Sequence, residues 1–374
     1  MTNKGAIGVA TRIINADVMA GLAQLPDESV HCVVTSPPYY GLRDYGVAGQ
    51  LGLEATPREY IDKMVGVFRE VRRVLRSDGT LWLNIGDSYA GSWGAQSRGD
   101  EYPGSLEGTS PLAARQIQAA QKGKTQTGFL KNTPGLKNKD LIGIPWSLAF
   151  ALRDDGWWLR KECIWAKPNG MPESTRDRPT SGHEHVFQLA KSENYYYGCE
   201  DVKLPPVPES VVRLARAMRG NLDEGAFVVS GGGYAPPGQI PHQGARRSEK
   251  QRGHGRRHAG FNDRCDAMEK AKQQSLGASL RSVWWIATGG FTDAHFATMP
   301  EELAAVCILA GCPKGGTVLD PFSGSGTTAI VADRLQRNAL GIELNPEYVA
   351  MSERRINADR GGLLDLMEAA CETV

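Results

Sequence analysis

Thr317-Val318-Leu319-Asp320-Pro321-Phe322-Ser323-Gly324-Ser325-Gly326-Thr327-Thr328 is a short apolar run that ends in an acid and opens into a Gly/Ser turn. This order predicts a buried strand over Thr317–Asp320, a loop at its carboxyl end, and a helix from Thr327 to Leu335. A second stretch is built alike: His31-Cys32-Val33-Val34 leads into Thr35-Ser36-Pro37-Pro38-Tyr39. Open parallel α/β sheets carry their chemistry at the carboxyl ends of strands. The two turns therefore predict neighbouring strands in one sheet, with Ser36 and Phe322 brought to a common pocket.

Around these turns the chain reads as alternating strands and helices. Thr11–Ile14 is a predicted strand that enters Asn15-Ala16-Asp17 and a short helix to Leu25. Pro57–Leu75 has Tyr60, Met64, Val67, Val71 and Val74 at spacings of three and four, with Pro57 at an early helical position. Ser77-Asp78-Gly79 is expected to stop that helix, and Thr80–Ile85 to form the next strand. A helix near Pro145–Leu152 and strands over Trp157–Trp165 and His185–Leu189 follow. After Thr317–Asp320 come a strand over Asn338–Ile342 and a last helix from Pro346 to Ala358, with a helix over Phe296–Ala310 before it. Two stretches break the pattern. Residues 91–139 are polar and read as an inserted loop, and 205–290 hold a basic helix, Val211–Arg219, and a Gly/Pro/Arg/His-rich tract.

The composition, 41% hydrophobic and 23% charged, is that of a soluble globular protein, and no apolar run approaches the ~20 residues of a membrane span. The first residues have no apolar core or cleavage pattern of a signal peptide. Seven cysteines without a C-x-x-C pair fit a reducing compartment rather than a disulfide framework, so the cytoplasm is the expected location. Net charge is +1, but Pro205–Arg281 carry thirteen Lys and Arg against seven acids. His254, His258 and Cys265 lack a fourth ligand at metal-like spacing, and no metal is expected. His183, Glu184 and His185 also lack a partner set.

The turn after Asp320 is neither a dinucleotide fingerprint, for want of a third glycine, nor a P-loop, for want of a lysine. It offers a tight glycine turn at a helix N-terminus, where the backbone can be approached closely and a carboxylate can bind. About 20 residues on, Glu343 ends the next strand, where an acid can bind both hydroxyls of a ribose.

Ser36-Pro37-Pro38-Tyr39 together with Asp320 to Thr328 resembles the S-adenosylmethionine-dependent DNA amino-methyltransferases. The order, Pro-Pro loop first, resembles their β class. The resemblance implies an α/β fold, a Rossmann-like methyltransferase sheet with helices on both faces and permuted motif order. Its catalytic half is 1–204, its cofactor half 291–374, and 205–290 is a smaller target-recognition region. It implies that Asp320, Pro321, Phe322, Ser323, Gly324, Ser325, Gly326 and Thr327 hold the methionine part of S-adenosyl-L-methionine. Thr298 and Pro300 complete that pocket, Glu343 takes the ribose, and Asp17 meets the adenine amino group.

On the catalytic side, the lone pair of an exocyclic amine is delocalised into the base. Ser36 Oγ and the Pro37 carbonyl are acceptors for the amine hydrogens on a turn that Pro37 and Pro38 stiffen. Tyr39 offers a face on which a flipped base stacks. Asn84 and Asp87 are further candidates for the pocket, and Trp165–Pro172 with Arg178–His185 resembles the loop near the flipped base. Arg246, Arg247, Lys250, Arg252, Arg256 and Arg257 are expected to contact double-stranded DNA. Serine at position 36 favours cytosine N4, with adenine N6 the nearest alternative. A protein-glutamine methyltransferase has the opposite motif order, and a non-catalytic DNA-binding relative would not require Ser36, Tyr39, Asp320, Gly324 and Glu343 together. A second copy of the chain and a cognate restriction endonuclease are the candidate protein partners.

Overall fold

The structure is a computed structural model that describes residues 9–42, 47–90, 135–170, 173, 176–203, 279–288 and 299–372, the side chains of 362–372 excepted. The chain divides into two compact units, Met1–Val202 with Arg281–Val374, and Lys203–Leu280. Nearly all of the second lies outside the described residues, as do 91–134 of the polar insertion and the expected helix over Val211–Arg219.

Among the described residues of the first unit, eight strands form one sheet in the order β1-β8-β7-β2-β3-β5-β4-β6. These are β1 (Thr11–Asn15), β2 (Val30–Thr35), β3 (Leu75–Ile85), β4 (Trp158–Ala166), β5 (His183–Ala190), β6 (Val283–Trp285), β7 (Thr317–Asp320) and β8 (Asn338–Glu343). Six helices are described: α1 (Val18–Leu22), α2 (Pro57–Val74), α3 (Ile144–Asp154), α4 (Glu301–Gly311), α5 (Thr327–Arg334) and α6 (Pro346–Glu372). Strand β5 runs antiparallel to both β3 and β4, and the other pairings are parallel. The expected adjacency holds: Cys32 pairs with Val318 and Val33 with Leu319.

Alternation along the strands decides which side each helix covers. Leu81, Leu83 and Ile85 join Val33, Phe187 and Leu189 in a core with α1, α2 and α3. Thr80, Trp82 and Cys32 point the other way, and there α4 passes so close that a Cβ on Gly311 would lie 2.4–2.7 Å from their side-chain atoms. Helices α5 and α6 pack with α4 and with each other. The result is an α/β Rossmann-like sheet with helices on both faces.

Helix α2 forms where its periodicity predicts. Thr56 Oγ1 caps it by accepting from Glu59 N at 3.2 Å, Pro57 occupies the first turn, and Tyr60, Met64, Val67, Phe68, Val71 and Val74 are buried. It ends at Val74, one residue short of the expected Leu75. Leu75 is already extended, and β3 begins there. Leu75 is fully buried opposite Val30, and the Ser-Asp-Gly stretch becomes an irregularity of the strand before Thr80 pairs with Cys32. Three further differences appear. Helix α4 starts at Glu301, behind Pro300, rather than at Phe296, and α6 runs well past Ala358. Strand β6, assigned from sequence to the basic region, adds to the sheet edge beside β4.

The polar insertion is tied at its neck. Ala90 N donates to Asp140 O and Lys139 N to Ala90 O, both at 2.8 Å, beside a bridge between Tyr89 and Leu141. Asp87 serves this junction rather than the pocket, because its carboxylate accepts from Gly143 N and Ile144 N at 3.0–3.1 Å and so caps α3.

Candidate active site

A cavity of about 450 Å³ opens at the carboxyl ends of β2, β7 and β8, lined by Ser36, Pro37, Pro38 and Tyr39 together with Asp320 to Ser325. Thr327, Glu343 and Asp17 line it too, so most of the residues drawn from the two distant motifs meet here. The join is a buried carboxylate. Asp320 Oδ1 accepts from Thr35 Oγ1 at 2.6 Å and from Phe322 N at 3.1 Å, and Oδ2 accepts from Thr328 Oγ1 at 2.8 Å. Thr35 immediately precedes Ser36, so one side chain fixes the end of the Pro-Pro loop to the start of the Gly/Ser loop. Burial raises the Asp320 carboxyl to about 6, against the lowering effect of these three donors.

That shift has a testable sign. A carboxyl raised from its ordinary value of 3.8 to about 6 on folding binds more protons in the folded chain. Stability then falls as pH rises from about 4 to 6, by about 3 kcal/mol at most. Asp320→Asn should remove this part of the slope, since threonine hydroxyls can donate or accept. Urea unfolding at pH 4.5 and 7.5 checks it. An unchanged slope in the variant would show that Asp320 does not titrate in this range.

Glu343 is held by backbone donors. Its Oε2 accepts from Gly324 N and its Oε1 from Asn345 N, each at 2.8 Å. Burial raises its carboxyl, and these N–H groups oppose the rise. Gly324 has φ +52°, which lets its N–H turn to Glu343. Asp17 is the N-cap of α1, accepting from Met19 N at 2.9 Å. Arg355 of α6 buttresses the loop from behind by donating to Ser325 O at 2.6 Å and Ser325 Oγ at 2.9 Å. No sequence motif marks Arg355, because its contact comes from the packing of α6.

Two expected cofactor residues stand elsewhere. Gly326 does not line the cavity. It is the left-handed N-cap of α5, and a Cβ there would lie 2.6 Å from Ser352 Cβ, so its place is the contact with α6. Pro300 is buried at the start of α4, and its neighbour Met299 lines the cavity instead. Thr298 lies outside the described residues, as do Arg246, Arg247, Lys250, Arg252, Arg256 and Arg257.

The Pro-Pro side of the cavity is a hydrogen-bonded cluster. Ser36 Oγ lies 3.3 Å from Tyr39 Oη, and Tyr39 Oη donates to Glu184 Oε2 at 2.6 Å. Asn84 Nδ2 donates to Tyr39 Oη and Glu184 Oε2 at 2.9 Å, and Lys167 pairs with Glu184 Oε1. Burial, and then Glu184, push the Tyr39 phenol well above its usual range, so Tyr39 stays protonated. Its ring lies against Gly86, where a Cβ would come within 2.7 Å. Pro38 O is fixed by Tyr60 Oη at 2.8 Å. Glu184 thus has the partner set that its sequence neighbourhood lacks. Sheet alternation supplies it: Trp165 pairs with Glu184 and Asn84 with Val186, two residues on, so these side chains share a face while His183 and His185 take the other.

Among the described residues no cysteine lines the cavity, and burial pushes the Cys32 thiol well up and the Cys163 thiol to about 12. Neither is a thiolate nucleophile at neutral pH. Among the described residues no group of His, Cys, Asp and Glu could hold a metal ion, and no helix is long and apolar enough to cross a membrane.

The donor set fits S-adenosylmethionine: acids at Asp17 and Glu343 for an amine and a ribose diol, and a helix start without a side-chain cap for a carboxylate. A family model described as DNA methylase, of the N6/N4 methyltransferase type, matches residues 30–354. The chain is 38% identical over 358 residues to the Type II methyltransferase M.Cfr9I of Citrobacter freundii, covering 96% of this chain and 91% of that one. It is 38% identical over 345 residues to the Type II methyltransferase M.SmaI of Serratia marcescens, covering 92% and 90%. The fold is shared with a putative DNA modification methylase from Thermus thermophilus solved with S-adenosyl-L-methionine, at TM-score 0.50, 21% identity and 94% coverage of each chain. With its two motifs gathered at one cavity and its length matched by these relatives, the chain belongs to the N6/N4 DNA methylase family.

Proposed function

We propose that the protein is a site-specific methyltransferase that acts on double-stranded DNA and methylates the N4 amine of a flipped cytosine. S-adenosylmethionine is the methyl donor, supplying an electrophilic methyl group. The observation that carries the reading is that Ser36 and Phe322 line one cavity, so an acceptor amine and a donor can meet at the roughly 3–3.5 Å that reaction needs. Ser36, with the Pro37 carbonyl, orients the amine. Tyr39 supplies the stacking face, the Asp320–Thr327 loop holds the methionine part, Glu343 the ribose and Asp17 the adenine. Serine at position 36 supports cytosine over adenine. Nucleoside mass spectrometry of DNA treated with the purified protein tests this: N4-methylcytosine is expected, and N6-methyladenine or no methylated base would contradict it. The same reading makes a cognate restriction endonuclease the functional counterpart, and sedimentation tests a homodimer.

Residues 205–280 are the proposed target-recognition region, since Val283–Trp285 belong to the sheet, and charge supports it: Arg246–Arg257 carry six bases and one acid. Each phosphate neutralised adds about one logarithmic unit to the salt dependence of binding. Replacing Arg252, Arg256 and Arg257 together should flatten that slope by roughly 3 and leave cofactor binding unchanged. An unaltered slope would place DNA contact elsewhere.

A further inference from the structure

We propose that Glu184, paired with Lys167, sets the direction of the hydrogen bonds around Ser36 and so makes the site accept an exocyclic amine and reject a carbonyl at the same place on a base. The inference rests on the amino-methyltransferase reading above and adds a positioning residue that acts through Tyr39. The direction follows from donor counting. A carboxylate paired with an ammonium only accepts. Glu184 does so from Tyr39 Oη at 2.6 Å and Asn84 Nδ2 at 2.9 Å, and Lys167 Nζ holds its other oxygen. Tyr39 has one hydroxyl proton, and Glu184 takes it. Towards its other neighbours Tyr39 Oη is therefore an acceptor, and Ser36 Oγ at 3.3 Å must donate.

Ser36 then keeps two lone pairs, because the two N–H bonds of Asn84 Nδ2 go to Tyr39 Oη and Glu184 Oε2 at 2.9 Å and its 3.3 Å approach to Ser36 Oγ is the longest of the three contacts. The amide of Asn84 cannot be reversed without setting its oxygen against the carboxylate. An acceptor position on Ser36, a residue that lines the cavity, is thus open to a ligand. An amine N–H satisfies it, whereas the keto oxygen of thymine, uracil or guanine brings lone pair against lone pair. Both members of the ion pair are removed from bulk water: the side chains of Lys167 and Glu184 are 20% and 16% exposed, which preserves the polarity of the chain of hydrogen bonds.

The test uses the full-length protein in single turnover with methyl-labelled S-adenosylmethionine and unmethylated plasmid DNA. Glu184→Gln keeps the shape but introduces N–H donors, so Tyr39 can turn its proton to Ser36 and Ser36 can turn its own into the cavity. The transfer rate is expected to fall about 100-fold while the dissociation constants for cofactor and DNA stay within about threefold. Tyr39→Phe, which keeps the ring against Gly86, should give a similar fall. The double variant should be no slower than the slower single variant, since both cut one chain of hydrogen bonds. Glu184→Asp, still acceptor-only, should recover about tenfold of the loss. Glu184→Gln at the wild-type rate, or losses that multiply in the double variant, would overturn the inference alone. A wild-type protein that methylates no base amine would overturn the underlying reading and this inference with it.

Discussion

Glu343→Ala is expected to raise the dissociation constant for S-adenosylmethionine by about 100-fold, while the rate at saturating cofactor stays within a few-fold of wild type. Both carboxylate oxygens are pre-aimed by the N–H groups of Gly324 and Asn345 at 2.8 Å. Charge-assisted hydrogen bonds to a ribose contribute about 1.5–3 kcal/mol each when desolvated. The substitution also strips Gly324 N of its acceptor, which loosens the loop expected to hold the methionine part. The loss falls on ground state and transition state alike, so it appears in binding. Titration calorimetry measures it directly. An unchanged affinity would mean that the ribose lies away from the end of β8.

Ser36→Ala is expected to do the reverse: transfer slows by about 100- to 1,000-fold and cofactor affinity is unchanged. The hydroxyl is asked to draw an N–H away from the ring as the amine becomes nucleophilic, a contact that strengthens only in the transition state. Tyr39 and Asn84 keep Glu184 as partner in the variant, so the fold should survive. Rapid-quench kinetics with saturating cofactor reads the effect. A drop in DNA affinity with an undiminished rate would make Ser36 a binding residue and nothing more.

Both motifs are legible because local grammar and tertiary packing agree there. The runs ending at Thr35 and Asp320 are mostly apolar because helices cover both faces of β2 and β7, and each is followed by turn chemistry that cannot continue a strand. The periodicity of α2 marks its buried stripe for the same reason. Packing overrules the local signal at Leu75, whose full burial opposite Val30 begins β3 ahead of the Ser-Asp-Gly turn. Val283–Trp285 is too short for alternation to show, and its pairing with β4 joins residues more than a hundred apart. Glu184 is opaque in the sequence for a similar reason. Its partners Tyr39 and Asn84 are 145 and 100 residues away, and only the register of β3, β5 and β4 brings them together. Asp320 ends its strand as its local sequence predicts, but its bond to Thr35, which joins the two motifs, is a tertiary fact.

The most direct test of the shared cavity is a crystal structure of the protein with its methylatable duplex and a non-transferable analogue of S-adenosylmethionine. The expected result is one base turned out of the helix, its exocyclic amine within hydrogen-bonding distance of Ser36 Oγ and roughly 3–4 Å from the atom that replaces the methyl group. A cofactor analogue bound away from the Asp320–Glu343 loop, or a target base that enters the protein far from Ser36, would contradict the account.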